Sequence, residues 1–213
     1  MIVYTVITND YDTLRDPRVV TPGWRYVCFS DQPIESDVWE FHKIGSTPGA
    51  DREVKIMGHK FFNEVALYLD GHFHIKKDLL SFVSKISTPF SIPVHKLRCC
   101  LYQEAAQLIH RGIVPSSPTQ GQMERYRLEG FPPDFGLGAN GIMLRDLSDP
   151  KVQAVNELWW DEWKNGIKRD QLSLMYCFWK KGWKPSFFPQ TQYKKFIKKV
   201  KHNETKEKIL VVD

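Results

Sequence analysis

A carboxylate and an imidazole stand two residues apart in the middle of the chain, directly after an apolar run. The run Val65–Leu69 is long enough for one buried strand. Because side chains alternate along a strand, Asp70 and His72, with His74 after them, would project to the same side. Such a group can bind one divalent cation, and Gly71 lets a bulky ligand approach the backbone. The alternative is a hairpin turn, since Asp-Gly is a frequent turn dipeptide.

Three basic side chains recur at spacings of three and four on a helix predicted over Asp51–Glu64, with Asp51 as its N-cap. Arg52, Lys55 and His59 therefore share one face of this helix. The face is either an ordinary solvated surface or a basic surface turned towards a diphosphate.

Strand and helix patterns alternate along the chain, which predicts a single α/β domain over residues 1–213, with a mostly parallel mixed sheet flanked by helices. The polar loop Thr8–Asp12 follows the first strand, where α/β nucleotide binders hold the base and ribose. No G-x-G-x-x-G follows this first strand and no G-K-[ST] occurs in the sequence, so neither a Rossmann fingerprint at this loop nor a P-loop is available. Strands are predicted at Met1–Ile7, Trp24–Ser30, Trp39–Ile44, Val65–Leu69, Phe90–His95, Gly141–Leu144 and Trp183–Phe188, and helices at Asp51–Glu64, Lys76–Ser87, Leu97–Arg111, Gln122–Glu129, Pro150–Lys164 and Arg169–Gly182.

Other segments are predicted to be irregular or amphipathic. Pro93 interrupts its strand and favours an edge position or a bulge. Two prolines in Ile113–Gln120 indicate a loop. Gln192–Lys208 is a basic amphipathic tail, and the apolar Ile209–Val212 after it is compatible with a first domain of a longer protein.

Composition places the chain among ordinary globular proteins. A net charge of +5 suits a phosphate-bearing ligand without demanding nucleic acid. Four cysteines without a C-x-x-C pair favour reduced thiols in a cytosolic protein. The start of the chain has no basic region typical of a signal peptide, and no apolar run approaches the roughly 18 residues of a membrane span. We therefore expect a cytoplasmic protein.

Three motifs match a known class in the right order. Ala66–His72, ALYLDGH, is similar to a Y-L-D-x-D metal motif, with His72 where the second aspartate is usual. Ala139–Leu144 is similar to an N-x-G-v-m strand, and Arg169–Leu172 to a D-Q segment before a core helix. The chain thereby resembles the GT-A nucleotide-sugar glycosyltransferases, especially the retaining branch that includes glycogenin and bacterial lipopolysaccharide galactosyltransferases.

A narrower resemblance covers nearly the whole chain. It rests on five segments: Cys28–Asp31, Arg52 and Lys55 with His59-Lys60, the D-G-H core, His95–Ala105, and Trp159-Trp160 with Arg169–Ser173. These resemble a group of glycosyltransferase domains to which a chlorella-virus enzyme thought to decorate the capsid glycan belongs. The resemblance implies glycan synthesis on a viral glycoprotein in the host-cell cytoplasm.

The resemblance implies a metal site and a nucleotide site. Asp70 and His72 would hold the cation, with His202 as a third ligand from late in the chain. Because imidazole is a softer ligand than carboxylate, the site would favour Mn²⁺ over Mg²⁺. The implied donor is a UDP-sugar, with positive charge near its diphosphate from Arg52, Lys55 and the tail lysines, among them Lys206 and Lys208. The candidates for the uridine are Thr8, Asn9, Tyr11 and Asp31.

The same resemblance assigns sugar-binding roles. Asp170 and Gln171 would bind the donor sugar's hydroxyls, with Arg169 near the phosphate or the sugar. Asn140 would contact the donor, and the acceptor side would be lined by His95 and Glu104.

Retention of configuration is expected, because no residue stands out as the base of an inverting enzyme and the nearest resemblance is to retaining enzymes. If the enzyme inverts, Asp170 is the best candidate base. Two other functions stay open. A sugar-phosphate nucleotidyltransferase would need a glycine-rich loop that Thr8–Asp12 lacks, and a carbohydrate- or nucleic-acid-binding module would not need the metal and D-Q motifs together.

Overall fold

A seven-stranded sheet forms the centre of the computed structural model, which describes residues 1–87 and 89–203. Within these residues the strands are β1 Ile2–Ile7, β2 Arg25–Ser30, β3 Glu40–Lys43, β4 Val65–Leu69, β5 Phe73–Ile75, β6 Phe90–Pro93, β7 Ile142–Asp146, β8 Ser186–Phe188 and β9 Ile197–Lys199. The helices are α1 Ala50–Ile56, α2 Leu80–Val83, α3 Leu101–His110, α4 Ser116–Leu128, α5 Pro150–Asn165, α6 Leu174–Lys180 and α7 Gln190–Lys194, with 3₁₀ turns at Gly58–Lys60 and Asp170–Leu172.

The large sheet is mostly parallel, as predicted, in the order β3-β2-β1-β4-β7-β6-β8. β1 pairs in parallel with β2 and β4, β2 with β3, and β6 with β8. β7 alone runs antiparallel to both of its neighbours in this sheet. Because β1 and β4 are parallel neighbours, the loops after Ile7 and Leu69 emerge side by side at one edge.

Apolar side chains cover both faces of the sheet. Along β1, Tyr4 belongs to one buried cluster and Val3 and Ile7 to another on the opposite face. The first cluster includes the fully buried Trp159 of α5, and the second includes Ile197 of β9. Burial on both faces explains why β1 reads as a continuous apolar run.

The helix predicted over Asp51–Glu64 forms only as α1, Ala50–Ile56, which is half the predicted length and starts before Asp51. Its N-cap is Gly49, whose φ of +89° is left-handed, rather than Asp51. The helix ends at Ile56, because buried Arg145 donates hydrogen bonds to the carbonyl oxygens of Lys55 and Ile56. These carbonyls are then unavailable for a further helical turn.

Two other predicted helices also differ. The helix predicted over Lys76–Ser87 forms only at Leu80–Val83, since Lys76 donates its N–H to the carbonyl of Phe196 and so extends the pairing of β5 with β9. The loop predicted over Ile113–Gln120 is helical from Ser116. Its prolines lie at the N-cap and in the first turn, where a helix does not need the missing N–H.

Pro93 lies in an interior strand, so the predicted edge position is wrong. It is the last residue of β6, opposite Phe188 of β8. β7 pairs only with Phe90 and Ser91 of β6. The missing proline N–H therefore costs no hydrogen bond in that ladder.

A small second sheet joins the middle of the chain to its end. β9 pairs antiparallel with β5, and this pairing was not predicted from the sequence. The tail predicted over Gln192–Lys208 is thus partly α7 and β9, while Lys206, Lys208 and Ile209–Val212 lie outside the described residues. In the part of the chain that the structure describes, no helix has both the length and the apolar character needed to cross a membrane.

Candidate active site

Two adjoining cavities open where β1 and β4 end. The first has a volume of about 420 Å³ and the second about 620 Å³. Asp70, His72 and Lys199 line both, so they stand at the boundary between the two spaces. The first cavity is bordered mainly by the loop after β1 and by cationic groups, and the second by Asn140, Gln171 and the C-terminal segment.

A buried lysine joins the two aspartates that the sequence singled out. Lys55, only 3% exposed, places its Nζ 3.1 Å from Oδ1 of Asp70 and 2.7 Å from Oδ2 of Asp170. The hydroxyl of Tyr68 donates to the same Asp70 oxygen at 2.8 Å. Arg52 also lines the first cavity, together with Tyr68 and Asp70.

The cations keep both carboxylates ionised. Burial acts to raise the pKa of Asp70, but Lys55 and Arg52 outweigh it and the pKa lies below its usual value. The pKa of Asp170 is also lowered, because the same two cations overcome its burial. Burial and the Asp70 carboxylate raise the pKa of Tyr68, so its hydroxyl stays protonated as a donor.

His72, His202 and Asp12 form a second group on the other side of Asp70. One ligand atom from each lies within 4.8 Å of the others. Nδ1 of His202 is 2.8 Å from Oδ1 of Asp12, and the His72 and His202 rings are 4.3 Å apart. Among the described residues, neither buried ring nitrogen of His72 has a hydrogen-bond partner.

This group fits a divalent cation. Two unpartnered imidazole nitrogens, at a residue 6% exposed, are unfavourable unless a ligand satisfies one of them. Burial lowers the pKa of His72 to about 4, so the ring is neutral at pH 7, as a metal ligand must be. A carboxylate with two imidazoles suits Mn²⁺ better than Mg²⁺.

The Asp-Gly segment is both a turn and a cavity wall. The N–H of Phe73 donates to the carbonyl of Asp70 at 2.9 Å, which closes a turn between β4 and β5. The two strands belong to different sheets, so the turn is not a hairpin. Asp70 and His72 both face the cavities, as predicted, but His74 does not: its ring nitrogen lies 3.0 Å from the carbonyl oxygen of Asp16.

The loop after β1 lines the first cavity with Thr8, Asn9 and Tyr11. Asn9 has a left-handed backbone with φ of 55°, and its N–H donates to Oδ2 of Asp31 at 3.2 Å. Asp31 lines neither cavity and supports this loop from behind, so its contact with the uridine stays a prediction.

The predicted sugar-side residues divide into two sets. Asn140, Gln171 and His95 line the second cavity, and the buried Nδ2 of Asn140 has no partner among the described residues. Gln171 is oriented by a hydrogen bond from Nε2 to the carbonyl of Gly138 at 2.9 Å. Glu104 lines neither cavity and lies behind His95, with 3.8 Å between its Oε2 and Nε2 of the ring.

Arg169 lines the first cavity, but His59 is directed elsewhere. Nε2 of His59 is 3.0 Å from Oε1 of Glu157 on α5. Because α1 ends at Ile56, His59 leaves the face that carries Arg52 and Lys55. His59 therefore lines neither cavity, and its role at the diphosphate stays a prediction.

Asp12, Tyr68 and Lys199 also line the first cavity, and none of them was named individually from the sequence, although Lys199 belongs to the predicted basic tail. Asp12 completes the histidine group, Tyr68 holds Asp70, and Lys199 stands between the cavities. Asp12 belongs to the polar loop already assigned to the ligand edge, so that position was the available signal. Lys199 depends on the unpredicted pairing of β9 with β5.

Comparison with solved structures identifies glycosyltransferases of similar fold. The glycosyltransferase GlyE of Streptococcus pneumoniae TIGR4 is 12% identical over 90% of this chain and 45% of its own, with a TM-score of 0.51. Mouse xyloside xylosyltransferase 1 is 11% identical over 88% of this chain and 83% of its own, with a TM-score of 0.46. The galactosyltransferase LgtC is 12% identical over 83% of this chain and 70% of its own, with a TM-score of 0.47.

The likeness to GlyE concerns the fold alone, and that fold is the predicted GT-A type. No curated protein matches the chain. A family model described as the TOD1/MUCI70 glycosyltransferase-like domain matches residues 24–202. Since that match spans most of the sequence, the chain belongs to the TOD1/MUCI70 glycosyltransferase-like domain family.

Proposed function

We propose that the protein transfers a sugar from a UDP-sugar to a hydroxyl of a glycan, with a divalent cation as cofactor. The observation that carries the proposal is the joining of the two cavities at Asp70 and His72. One cavity offers a loop for a nucleoside and cations for a diphosphate, and the other offers amide groups for sugar hydroxyls. The family match favours this reaction over nucleotidyl transfer and over a binding module without catalysis.

His72, His202 and Asp12, with Asp70 beside them, would hold Mn²⁺ in preference to Mg²⁺. When bound, the cation neutralises charge that develops on the leaving diphosphate. Arg52, Arg169 and Lys199 border the same space and add positive charge from the protein itself.

Donor positioning follows from the lining of the cavities. Tyr11 is 49% exposed beside the first cavity, where its ring can stack on a uracil base. Thr8 and Asn9 supply polar groups for the nucleoside. The unpartnered amide of Asn140 and the fixed amide of Gln171 are placed to bind the hydroxyls of the transferred sugar.

Retention of configuration is the proposed stereochemical outcome. Asp170 is ion-paired with Lys55 and has a lowered pKa, which makes it a weak base for an acceptor hydroxyl. Its negative charge instead supports the positive charge that develops on the sugar as the bond to the diphosphate breaks. Comparing the anomeric configuration of product and donor by NMR tests this, and an inverted product would contradict it.

The acceptor and its setting are proposed from the sequence resemblance. The motifs shared with viral capsid-glycan enzymes favour a glycoprotein glycan acceptor in the host-cell cytoplasm. Transfer to glycans released from a viral capsid protein, but not to unrelated glycans, is the expected result. Equal transfer to both sets would contradict this part of the proposal.

The first experiment is a thermal-shift titration of the full chain with UDP, GDP and CMP, each with and without Mn²⁺. A ligand that binds the native state alone stabilises it by about 2.7 kcal/mol at a hundredfold excess over Kd. We expect a shift with UDP plus Mn²⁺, and its loss in Asp70→Asn. Absence of any nucleotide-dependent shift would overturn the proposed function.

A further inference from the structure

The second cavity is strongly cationic. Five lysines from separate segments converge on it: Lys76 after β5, Lys96 after β6, Lys194 on α7, and Lys198 and Lys199 on β9. Lys76 is half-buried, and the other four are exposed at the rim. Convergence from different parts of the chain shows that the charge is a property of the cavity wall rather than of one basic stretch.

These charges are not neutralised by the protein in the part that the structure describes. Asp70 is the carboxylate among the described residues that line this cavity, and Lys55 and Tyr68 already hold it. None of the five lysines has a described carboxylate oxygen within 4.0 Å. Like charges gathered on one concave surface attract an anion and are stabilised by it.

The donor does not account for this charge. If the site binds a UDP-sugar as proposed above, the diphosphate lies by the first cavity, where Arg52, Arg169 and Lys199 are available. A neutral hexose needs hydrogen-bonding groups such as Asn140 and Gln171, not ammonium groups. Four lysines line the second cavity only and so remain without a partner in a donor whose transferred sugar is neutral: Lys76, Lys96, Lys194 and Lys198.

We propose that the acceptor glycan carries an anionic group, a carboxylate or a phosphate ester, that binds these four lysines. The inference rests on the proposed function, because it takes the second cavity as the place where the acceptor meets the donor sugar. The ammonium groups would contact the anion, and the acceptor hydroxyl would then point towards Gln171 and Asp70.

Binding of three glycosides that differ at one carbon tests the proposal. The full chain, loaded with UDP and Mn²⁺, is titrated by NMR with methyl glucoside, methyl glucuronide and methyl glucoside 6-phosphate. We expect Kd to be at least about tenfold lower for one or both charged glycosides, and the difference to shrink at high salt. The carboxylate and phosphate arms show which anion is bound, and equal affinity for all three would overturn the proposal.

Variants that remove single lysine charges test whether the preference for charged glycosides arises at the second cavity. Lys76→Gln and Lys194→Gln should each reduce the preference for the charged glycoside about two- to fivefold, the range of one ion pair near the surface. Lys43→Gln is the matched control, because Lys43 is exposed on β3 and lines neither cavity. An unchanged preference in both cavity variants would contradict the proposal.

Two further outcomes are distinguishable. If the chain binds no UDP under any condition, the proposed function fails; if UDP binds and the glycosides do not differ, the anionic acceptor alone fails. Salt-sensitive binding of an RNA oligonucleotide to Lys76 and Lys194, with no preference among the glycosides, would assign the lysines to a nucleic acid and also overturn the proposal.

Discussion

In the proposed cation site, a histidine stands at the position where the resembling metal motif carries a second aspartate, and a carboxylate from the loop after a neighbouring strand lies beside it. His72 lies with His202 and with Asp12, which follows β1 rather than β4. Asp70 forms an ion pair with Lys55 and accepts a hydrogen bond from the hydroxyl of Tyr68. In the proposed site the carboxylate beside the imidazoles thus follows a different strand, because parallel pairing of β1 with β4 brings the two loops together.

Removing the charge of Asp12 should weaken metal binding. In Asp12→Asn we expect the Kd for Mn²⁺, measured by calorimetry in the presence of UDP, to rise at least about tenfold. Asp10→Asn is the matched control, since Asp10 belongs to the same loop but not to the histidine group. An equal change in both variants would indicate an effect on the loop rather than on the cation.

The buried imidazole of His72 should make the metal-free protein sensitive to mild acid. Burial lowers its folded pKa to about 4, below the unfolded value of about 6.5. The unfolded state therefore binds more protons between these values, and the free energy of unfolding falls as pH drops from 6.5 towards 4. We expect His72 to account for a loss of about 2 kcal/mol between pH 7.5 and pH 5.

Urea denaturation in the presence of a chelator measures this loss. The variant His72→Gln has no titratable group at the position, so its stability should fall less over the same pH range. An equally steep fall in the variant would assign the acid sensitivity to other groups.

At the scale of elements, one buried arginine determines where α1 ends and hence where Lys55 points. Arg145 of β7 is fully buried, and its Nη1 donates to the carbonyl of Ile56 at 3.0 Å and to Oδ1 of Asn156 at 3.1 Å. Its Nη2 donates to the carbonyl of Lys55 at 2.6 Å and to the hydroxyl of Tyr4. A positive charge at a helix C-terminus is favourable, and it satisfies carbonyls that would otherwise lack partners.

Arg145→Met should therefore destabilise the protein by about 3–5 kcal/mol, because the buried carbonyls and Asn156 lose their donor. Chemical denaturation monitored by tryptophan fluorescence measures the change. Arg25→Met, which removes an exposed pair with Glu40, should cost about 1 kcal/mol or less. Similar values for the two variants would show that Arg145 does not hold the end of α1.

What the sequence could predict follows from the range of the interactions involved. β1 and β4 were predicted because burial on both faces requires a continuous apolar run, which is local information. The start of α5 was predicted because Asp149 caps the helix and Pro150 follows it. The end of α1 was not predictable, since Arg145 lies far along the chain, and His59 was misplaced for the same reason.

In the candidate site too, local sequence patterns could predict some residues, whereas contacts between distant segments could not be predicted. Asp70 and His72 were found from the strand period and the resemblance, and His202 from the resemblance alone. The ion pair of Lys55 with Asp170 depends on where three separate elements meet, so spacing could not reveal it. The part of the tail beyond 203 lies outside the described residues, and the predicted roles of Lys206 and Lys208 stay predictions.

At the scale of the whole molecule, the last described residues return to the loop after the first strand. The N–H of Val200 donates to the carbonyl of His72 at 2.9 Å, and the N–H of Asn203 to the carbonyl of Tyr11 at 3.3 Å. This return positions His202 and Lys199 over the first cavity. The cavity wall is therefore complete only when the segment 199–203 is docked against the loop after β1.

Binding of ligands at the site should stabilise the contacts of Val200 and Asn203 with His72 and Tyr11. A cation shared by His72, His202 and Asp12, with a diphosphate near Lys199, adds contacts that exist only while the end segment is docked. At a hundredfold excess of UDP and Mn²⁺ over Kd, linkage allows up to about a hundredfold slower hydrogen exchange at the Val200 and Asn203 amides. Exchange followed by mass spectrometry measures this, with the hydrogen-bonded amide of Ile113, which follows α3, as the control because Ile113 lines neither cavity. Unchanged rates at Val200 and Asn203 under saturating ligand would mean that the end segment plays no part in binding, and His202 would then be removed from the set of metal ligands.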